Sequence, residues 1–332
     1  MKLFDNTLRD GGNVVGHGFS IELTQSIVGG LLGAGITDIE FGNCKGLGAY
    51  DQLNATHAPS DEAYLEAIQP YLAQGDIGMF MLAKCANEDS IRKAADANLA
   101  FLRVGENASD GVKAVNAVRM VKDAGLLCRY SLMKAYVSTP EALAEEARML
   151  QDAGVDKITI MDSAGTMFPG EVSAYVRAMK KAVTIPVGVH GHSNLGLSQA
   201  NALVAAEAGA DEIDCGLLGM ARSAGNCATE LAAATLMRKG YLKNVDLYAL
   251  LAYLDQELIP AMVPYGYHTA VSPTDLMLGL EGCHSNFLPL FQAAAEEAGV
   301  PLYLLITKVC AQDRKSPSKT LIREIAAELR NL

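Results

Sequence analysis

Two histidines, His190 and His192, stand two residues apart at the end of the apolar run Thr184-Ile185-Pro186-Val187-Gly188-Val189. Alternate residues of a β-strand point to the same side. A strand here would aim both imidazoles at one point, as a divalent metal requires. Two of six histidines also fall this close by chance quite often, so the rest of the chain must decide. Near the start, Thr7-Leu8-Arg9-Asp10-Gly11-Gly12-Asn13 follows the β-rich segment Lys2–Asn6. Asp10 offers a carboxylate to complete a three-point site, with the Arg9 charge beside it. The same residues also read as an Arg–Asp surface pair before a glycine turn. A third segment runs Gly219-Met220-Ala221-Arg222-Ser223-Ala224-Gly225-Asn226-Cys227-Ala228-Thr229-Glu230, a glycine-bearing loop opening onto a helix. In it, Asn226 is either a hard amide-oxygen ligand or a helix N-cap, a position Asn favours.

Two imidazoles, one carboxylate and one amide oxygen suit a six-coordinate divalent ion of the Mn, Mg or Co type. Two positions stay open, and a 2-keto acid fills two positions through its keto oxygen and one carboxylate oxygen. The metal then polarises the keto group and stabilises the enolate, and Arg9 shares that negative charge. Two histidines and a carboxylate also serve Fe(II) oxygenases, but Arg9 and Asn226 do not suit that chemistry.

The elements that must position these residues alternate. Short β-rich runs recur at Lys2–Asn6, Thr37–Gly42, Ile77–Leu82, Ala100–Val104, Leu127–Leu132, Lys157–Met161, Val187–Val189 and Glu212–Cys215. Between them lie stretches of helical spacing such as Pro140–Ala153 and Ser198–Ala208, several ending in Ala-Gly as a C-cap would. Eight such units without a long structureless loop predict a closed (β/α)8 TIM barrel rather than an open doubly wound sheet. No GxGxxG follows the first strand, which argues against a dinucleotide fold. The pattern predicts a catalytic barrel over 1–240 and a small helical domain over 241–332, with an amphipathic helix at the end. The net charge of -11 argues against nucleic acid and acidic membranes. No signal peptide or membrane span is legible. Seven cysteines scattered singly read as reduced thiols, so a cytoplasmic location is expected.

Taken together, Asp5-Asn6-Thr7-Leu8-Arg9-Asp10-Gly11, His190-Gly191-His192-Ser193-Asn194-Leu195 and Ala224-Gly225-Asn226 resemble the barrel metallolyases related to HMG-CoA lyase and isopropylmalate synthase. Among these the chain is most similar to the 4-hydroxy-2-oxovalerate aldolase family. The likeness also covers Gly46-Leu47-Gly48-Ala49, Met161-Asp162-Ser163-Ala164-Gly165 and the tail from Leu276 to Leu288. The resemblance implies Asp10, His190 and His192 as metal ligands, with Asn226 as a fourth. It implies that Arg9 stabilises a pyruvate enolate and that Ser163 holds the substrate carboxylate. The implied reaction cleaves a 4-hydroxy-2-keto acid to pyruvate and an aldehyde, or runs in reverse. A homo-oligomer, and a dehydrogenase partner that receives the aldehyde, belong to the same implication.

The chain also departs from that pattern. The family has a histidine four residues after the arginine, assigned to proton transfer. Here Asn13 stands in its place, and an amide is no general base at neutral pH. The family has a tyrosine in the tail where this chain has His284, which is either a replacement base or a packing residue. His17 in the first loop is a further substitute, and Asn13 is expected to select a different aldehyde or acyl group. His57 and His268 read as ordinary loop residues, and Cys215 and Cys227 as buried small ones. Three other readings use the same residues. They are a Claisen-type synthase joining an acyl-CoA to a 2-keto acid, a 2-keto acid decarboxylase, and a non-catalytic barrel binding a metabolite or partner enzyme. For the synthase, no basic patch for CoA is legible.

Overall fold

A computed structural model describes residues 1–269, 271–283 and 285–331, leaving aside the side chain of Asp275. Eight parallel strands close into a barrel in chain order: β1 (Lys2–Asp5), β2 (Asp38–Phe41), β3 (Asp76–Leu82), β4 (Phe101–Asn107), β5 (Leu127–Met133), β6 (Lys157–Asp162), β7 (Val187–Gly191) and β8 (Glu212–Cys215). The last strand pairs back onto the first, with Leu3 opposite Ile213. Helices α1 (Ile21–Gly33), α2 (Ala49–Gln52), α3 (Asp61–Ile68), α4 (Glu88–Asp96), α5 (Val115–Asp123), α6 (Pro140–Asp152), α7 (Pro169–Ala182), α8 (Ser198–Glu207) and α9 (Thr229–Arg238) lie between and after the strands. The closed barrel read from the alternation therefore stands.

Local chemistry sets the helix limits. Ser20, Ser60, Asn87 and Thr139 each accept a backbone N–H of the following first turn, which a helix start otherwise leaves unpaired. At the other ends, Gly125 and Gly154 take φ of +81° and +113° just past α5 and α6, a left-handed backbone that favours glycine.

The period-two alternation of the strands has an unusual inner face. The outward residues, such as Ile39, Ile77, Leu102, Val104, Ile158 and Ile213, are buried apolar side chains facing the helices. The inner face carries ions. Arg129 pairs with Asp38 at 2.6 Å and lies over the rings of Phe4 and Phe101 at 4.7 and 4.0 Å. Lys157 pairs with Glu212. One layer nearer the catalytic face, Arg103 holds Asp214 at 2.6 Å. Each cation has a carboxylate in reach, as buried charges must.

The tail is helical, as expected. It comprises α10 (Leu247–Tyr253), α11 (Ile259–Met262), α12 (Pro273–Glu281), α13 (Leu288–Ala298), α14 (Leu302–Gln312) and α15 (Lys319–Arg330). Helix α10 packs on α1 and α9, and α12 packs on α9 and α14. The Tyr253 ring sits on Gly30, where an added Cβ would come within 2.6 Å of it. The split into a barrel over 1–240 and a helical domain over 241–332 is retained as a proposal. Helix α15 buries Ile322, Ile325 and Ala326 on one side, the amphipathic pattern read from the sequence. All seven cysteines are buried. Among the described residues no helix is long and apolar enough to cross a membrane.

Candidate metal centre

The site forms at the C-terminal ends of the strands, the face where barrels of this kind place their chemistry. Beyond β1 the chain turns back at once, with the backbone N–H groups of Arg9 and Asp10 both donating to the Asn6 carbonyl. That turn buries Arg9 and Asp10 and overturns the surface-pair reading. Strand β7 carries His190, and His192 follows it with its N–H donating to the Asp162 carbonyl. A short antiparallel bridge joins His192 to Asn226 and draws the loop after β8 over the barrel mouth. Gly225 makes this possible. Its φ is +86°, and a Cβ there would stand 2.3 Å from the Gly219 carbonyl oxygen. Asn226 is not an N-cap, because α9 starts after Ala228.

Asp10, His190 and His192 each present one ligand atom, and the three atoms lie within 4.8 Å of one another. The two Nε2 atoms are 3.4 Å apart, and each is 3.7 Å from Asp10 Oδ2. Two imidazole lone pairs converging on a carboxylate form a cage for a cation. His190 Nδ1 faces Asp214 Oδ2 at 3.3 Å, and Arg103 holds that carboxylate from behind. The Asn6 side-chain amide also lies 3.0 Å from that Nδ1, and in the tautomer that donates Nδ1–H to Asp214 the Nε2 lone pair is free for a metal. The Asn226 Nδ2 group donates to Asp10 Oδ2 at 2.9 Å, while its Oδ1 is buried without a partner. Turned over, that amide offers its oxygen to an ion held by Asp10. The donor set therefore fits a divalent cation: two imidazoles, a carboxylate and an amide oxygen.

The electrostatics agree. Burial raises the Asp10 pKa, but Arg9, His190, His192 and the Asn226 amide outweigh it and hold the carboxyl well below the usual range. Burial, with His190 and the Arg222 and Arg9 charges, pushes His192 down to about 4 against the pull of Asp10. Near neutral pH the site thus presents an ionised carboxylate and a neutral His192, the forms that bind metal.

Arg9 is fixed on two sides. Its Nε donates to Glu40 Oε1 at 2.7 Å, and Nη1 lies 3.0 Å from Asp10 Oδ1. Its plane rests over the Phe80 ring at 4.9 Å. The third nitrogen, Nη2, is buried and has no partner. A buried donor left open costs about 1–3 kcal/mol, which an oxygen arriving with a ligand would relieve. Ser163 Oγ accepts the Lys134 N–H at 2.9 Å and keeps its own O–H to donate.

Arg9, Asp10, Asn13, Ser163, His190 and His192 all line one cavity of about 330 Å³, and Asn226 supports it from beside Asp10. Asn13 donates to the Asp10 carbonyl at 2.8 Å. His17 is not among the lining residues and stacks instead on His57, ring centres 5.6 Å apart. His284 lies outside the described residues. A larger cavity of about 610 Å³, beside α9, α10, α12 and α14, contains none of these groups. Sequence reasoning missed Asn6, Glu40, Arg103 and Asp214 behind the site, and Lys45, Lys134 and Arg222 around its mouth. The first set did leave a signal, since charged residues alternate with apolar ones inside short strands, as in Asp38-Ile39-Glu40-Phe41 and Glu212-Ile213-Asp214-Cys215.

Fold and site together define a (β/α)8 barrel with a carboxylate–dihistidine centre at its catalytic face. The HMGL-like family model matches residues 1–256. A 4-hydroxy-2-oxovalerate aldolase of Carboxydothermus hydrogenoformans is 32% identical, over 99% of this chain and 97% of that protein. 4-Hydroxy-2-oxovalerate aldolase 2 of Nocardia farcinica is 34% identical, over 98% and 94%. The chain belongs to the HMGL-like family. Among solved structures, the HMG-CoA lyase of Brucella melitensis superposes with a TM-score of 0.64 at 17% identity, over 79% of this chain and 98% of that one. The N-terminal domain of a putative aldolase from Bacteroides vulgatus gives 0.67 at 22%, over 81% and 89%. At these identities the structures speak for the fold.

Proposed function

We propose that this chain is a divalent-metal-dependent aldolase that cleaves a 4-hydroxy-2-keto acid to pyruvate and an aldehyde, or joins the two. One observation carries the reading. Asp10, His190 and His192 converge in the same cavity as the open Arg9 Nη2 and the Ser163 hydroxyl.

Asp10, His190, His192 and the Asn226 amide oxygen would hold the ion, with Mn, Mg or Co suited to these ligands. When bound, such an ion supplies Lewis-acid polarisation of the keto group. The chain's own residues do the rest. Ser163 donates to the substrate carboxylate and sets its orientation. Arg9 Nη2 donates to the 2-oxygen as negative charge develops there. A base takes the 4-hydroxyl proton, the C3–C4 electron pair passes into the enolate, and protonation at C3 gives pyruvate. Asn13 cannot be that base, so the proton step is assigned to His284. Glu40 and Asp10 hold the Arg9 fork in one plane, and Asp214 and Arg103 hold the His190 ring. A homo-oligomer and a dehydrogenase that accepts the aldehyde remain part of this proposal.

The test is release of pyruvate from a panel of 4-hydroxy-2-keto acids. EDTA should abolish it, and added Mn or Co should restore it. Full turnover by a metal-free preparation would remove the metal from the account.

A further inference from the structure

We propose that the aldehyde handled at this site carries an anionic group, a carboxylate or a phosphate. This rests on the aldolase reading and deepens it. The observation is a set of unspent cations. Lys45 from the loop after β2, Lys134 from the end of β5 and Arg222 from the loop after β8 all line the catalytic cavity. Among the described residues none of the three has an ion pair or a side-chain hydrogen bond. The contrast is with Arg9, Arg103 and Arg129, each of which faces a carboxylate within 3 Å. Among the described residues Asp10 is the sole carboxylate lining the cavity, and Arg9 already pairs with it.

Composition does not explain this. The chain has a net charge of -11, yet among the described residues its catalytic cavity gathers four lysine or arginine side chains and one acid. A bound divalent ion would add two further positive charges. Pyruvate brings one carboxylate, which Ser163 and the ion accommodate, so the outer cations are left over. Lys134 is held there with a strained backbone. Its φ of 55° and ψ of 41° are left-handed for a residue that has a Cβ, at a cost of about 1–2 kcal/mol. The Ser163 hydroxyl fixes that turn through the Lys134 N–H. Cleavage of 4-hydroxy-2-oxovalerate itself would release acetaldehyde, a neutral molecule with nothing for three cations to bind. An aldehyde ending in a carboxylate or phosphate would place that group among Lys45, Lys134 and Arg222 while its carbonyl carbon meets C3 of the enolate.

The experiment compares matched pairs as acceptors for pyruvate on the metal-loaded enzyme: glyceraldehyde 3-phosphate against glyceraldehyde, and succinic semialdehyde against butanal. In at least one pair the anionic member should lead by about 10-fold or more in kcat/KM, the worth of one charge-assisted hydrogen bond. The lead should shrink as salt rises, because Lys134 and Arg222 are exposed and Lys45 is half-buried. A Lys45→Met, Arg222→Met double variant should narrow it to about threefold or less; neither residue has a partner to strand, so the fold should survive. The pair that shows the lead tells phosphate from carboxylate. Neutral members matching or exceeding both anionic ones would overturn the proposal. Exchange of the pyruvate methyl protons in D2O, run without aldehyde on the same preparation, separates the two failures. Exchange without charge preference overturns this inference alone, and no exchange overturns the aldolase reading on which it rests.

Discussion

At Arg9 one nitrogen goes to Glu40, one to Asp10, and the third is buried without a partner. If the open donor meets developing negative charge, Arg9→Ala should lose on the order of 10²-fold or more in kcat, as loss of an oxyanion donor typically does. Arg9→Lys should recover little, since an ammonium cannot face both carboxylates and the substrate as the planar fork does. Near-normal rates in either variant, with the fold intact by circular dichroism, would move Arg9 out of the chemistry. The proton step makes a second test at this scale. With Asn13 lacking a titrating group, His284 as base predicts a rate that rises with pH through roughly 6 to 7. His284→Ala should flatten that limb and lower the rate by about 10²-fold. Metal binding should be retained, and Asn13→His should partly restore cleavage. An unchanged rate and profile in His284→Ala would leave that residue a packing role.

Among the elements, strands set directions and loops bring chemistry together. The His190–His192 pair was legible because a strand repeats every two residues, and the chain stays extended past β7 into the bridge at His192. Arg9 and Asp10 were legible as a motif, but their burial was not. It follows from the tight turn on the Asn6 carbonyl, which local sequence does not announce. Asn226 left two readings open, and the start of α9 after Ala228 removes the N-cap one. The ions behind the site went unread because charged residues in a strand suggest an exposed face. Here that face is the inside of a closed barrel, and closure is a property of all eight strands. Lys45, Lys134 and Arg222 were unreadable for a related reason: each is ordinary in its own loop, and they meet only when β2, β5 and β8 are arranged around one axis.

Across the whole molecule, the interior charges set how stability depends on pH. Burial pushes Glu230 up to about 7 and Asp5 up to about 6. The folded chain therefore keeps protons that the unfolded chain releases in the ordinary carboxylate range. Their contribution is full below the ordinary value and is lost as pH rises through 6 to 7. Asp214 acts oppositely. Despite its burial, Arg103 and His190 hold it low, so its contribution is present above the ordinary value and lost as pH falls through the folded one. Glu230→Gln should flatten the fall in stability of the metal-free protein between about pH 5 and 8, by on the order of 3 kcal/mol. Parallel melting-temperature curves for the two proteins would contradict the Glu230 assignment. The central claim, that this barrel enolises pyruvate at the Asp10–His190–His192 centre, needs no knowledge of the aldehyde. The direct measurement is proton NMR of pyruvate in D2O with the enzyme and Mn exchanged out for diamagnetic Mg. The account predicts that the methyl signal is lost with time, that EDTA stops the loss, and that Arg9→Ala slows it by about 10²-fold. A methyl signal that stays constant with metal-loaded, folded enzyme would contradict it.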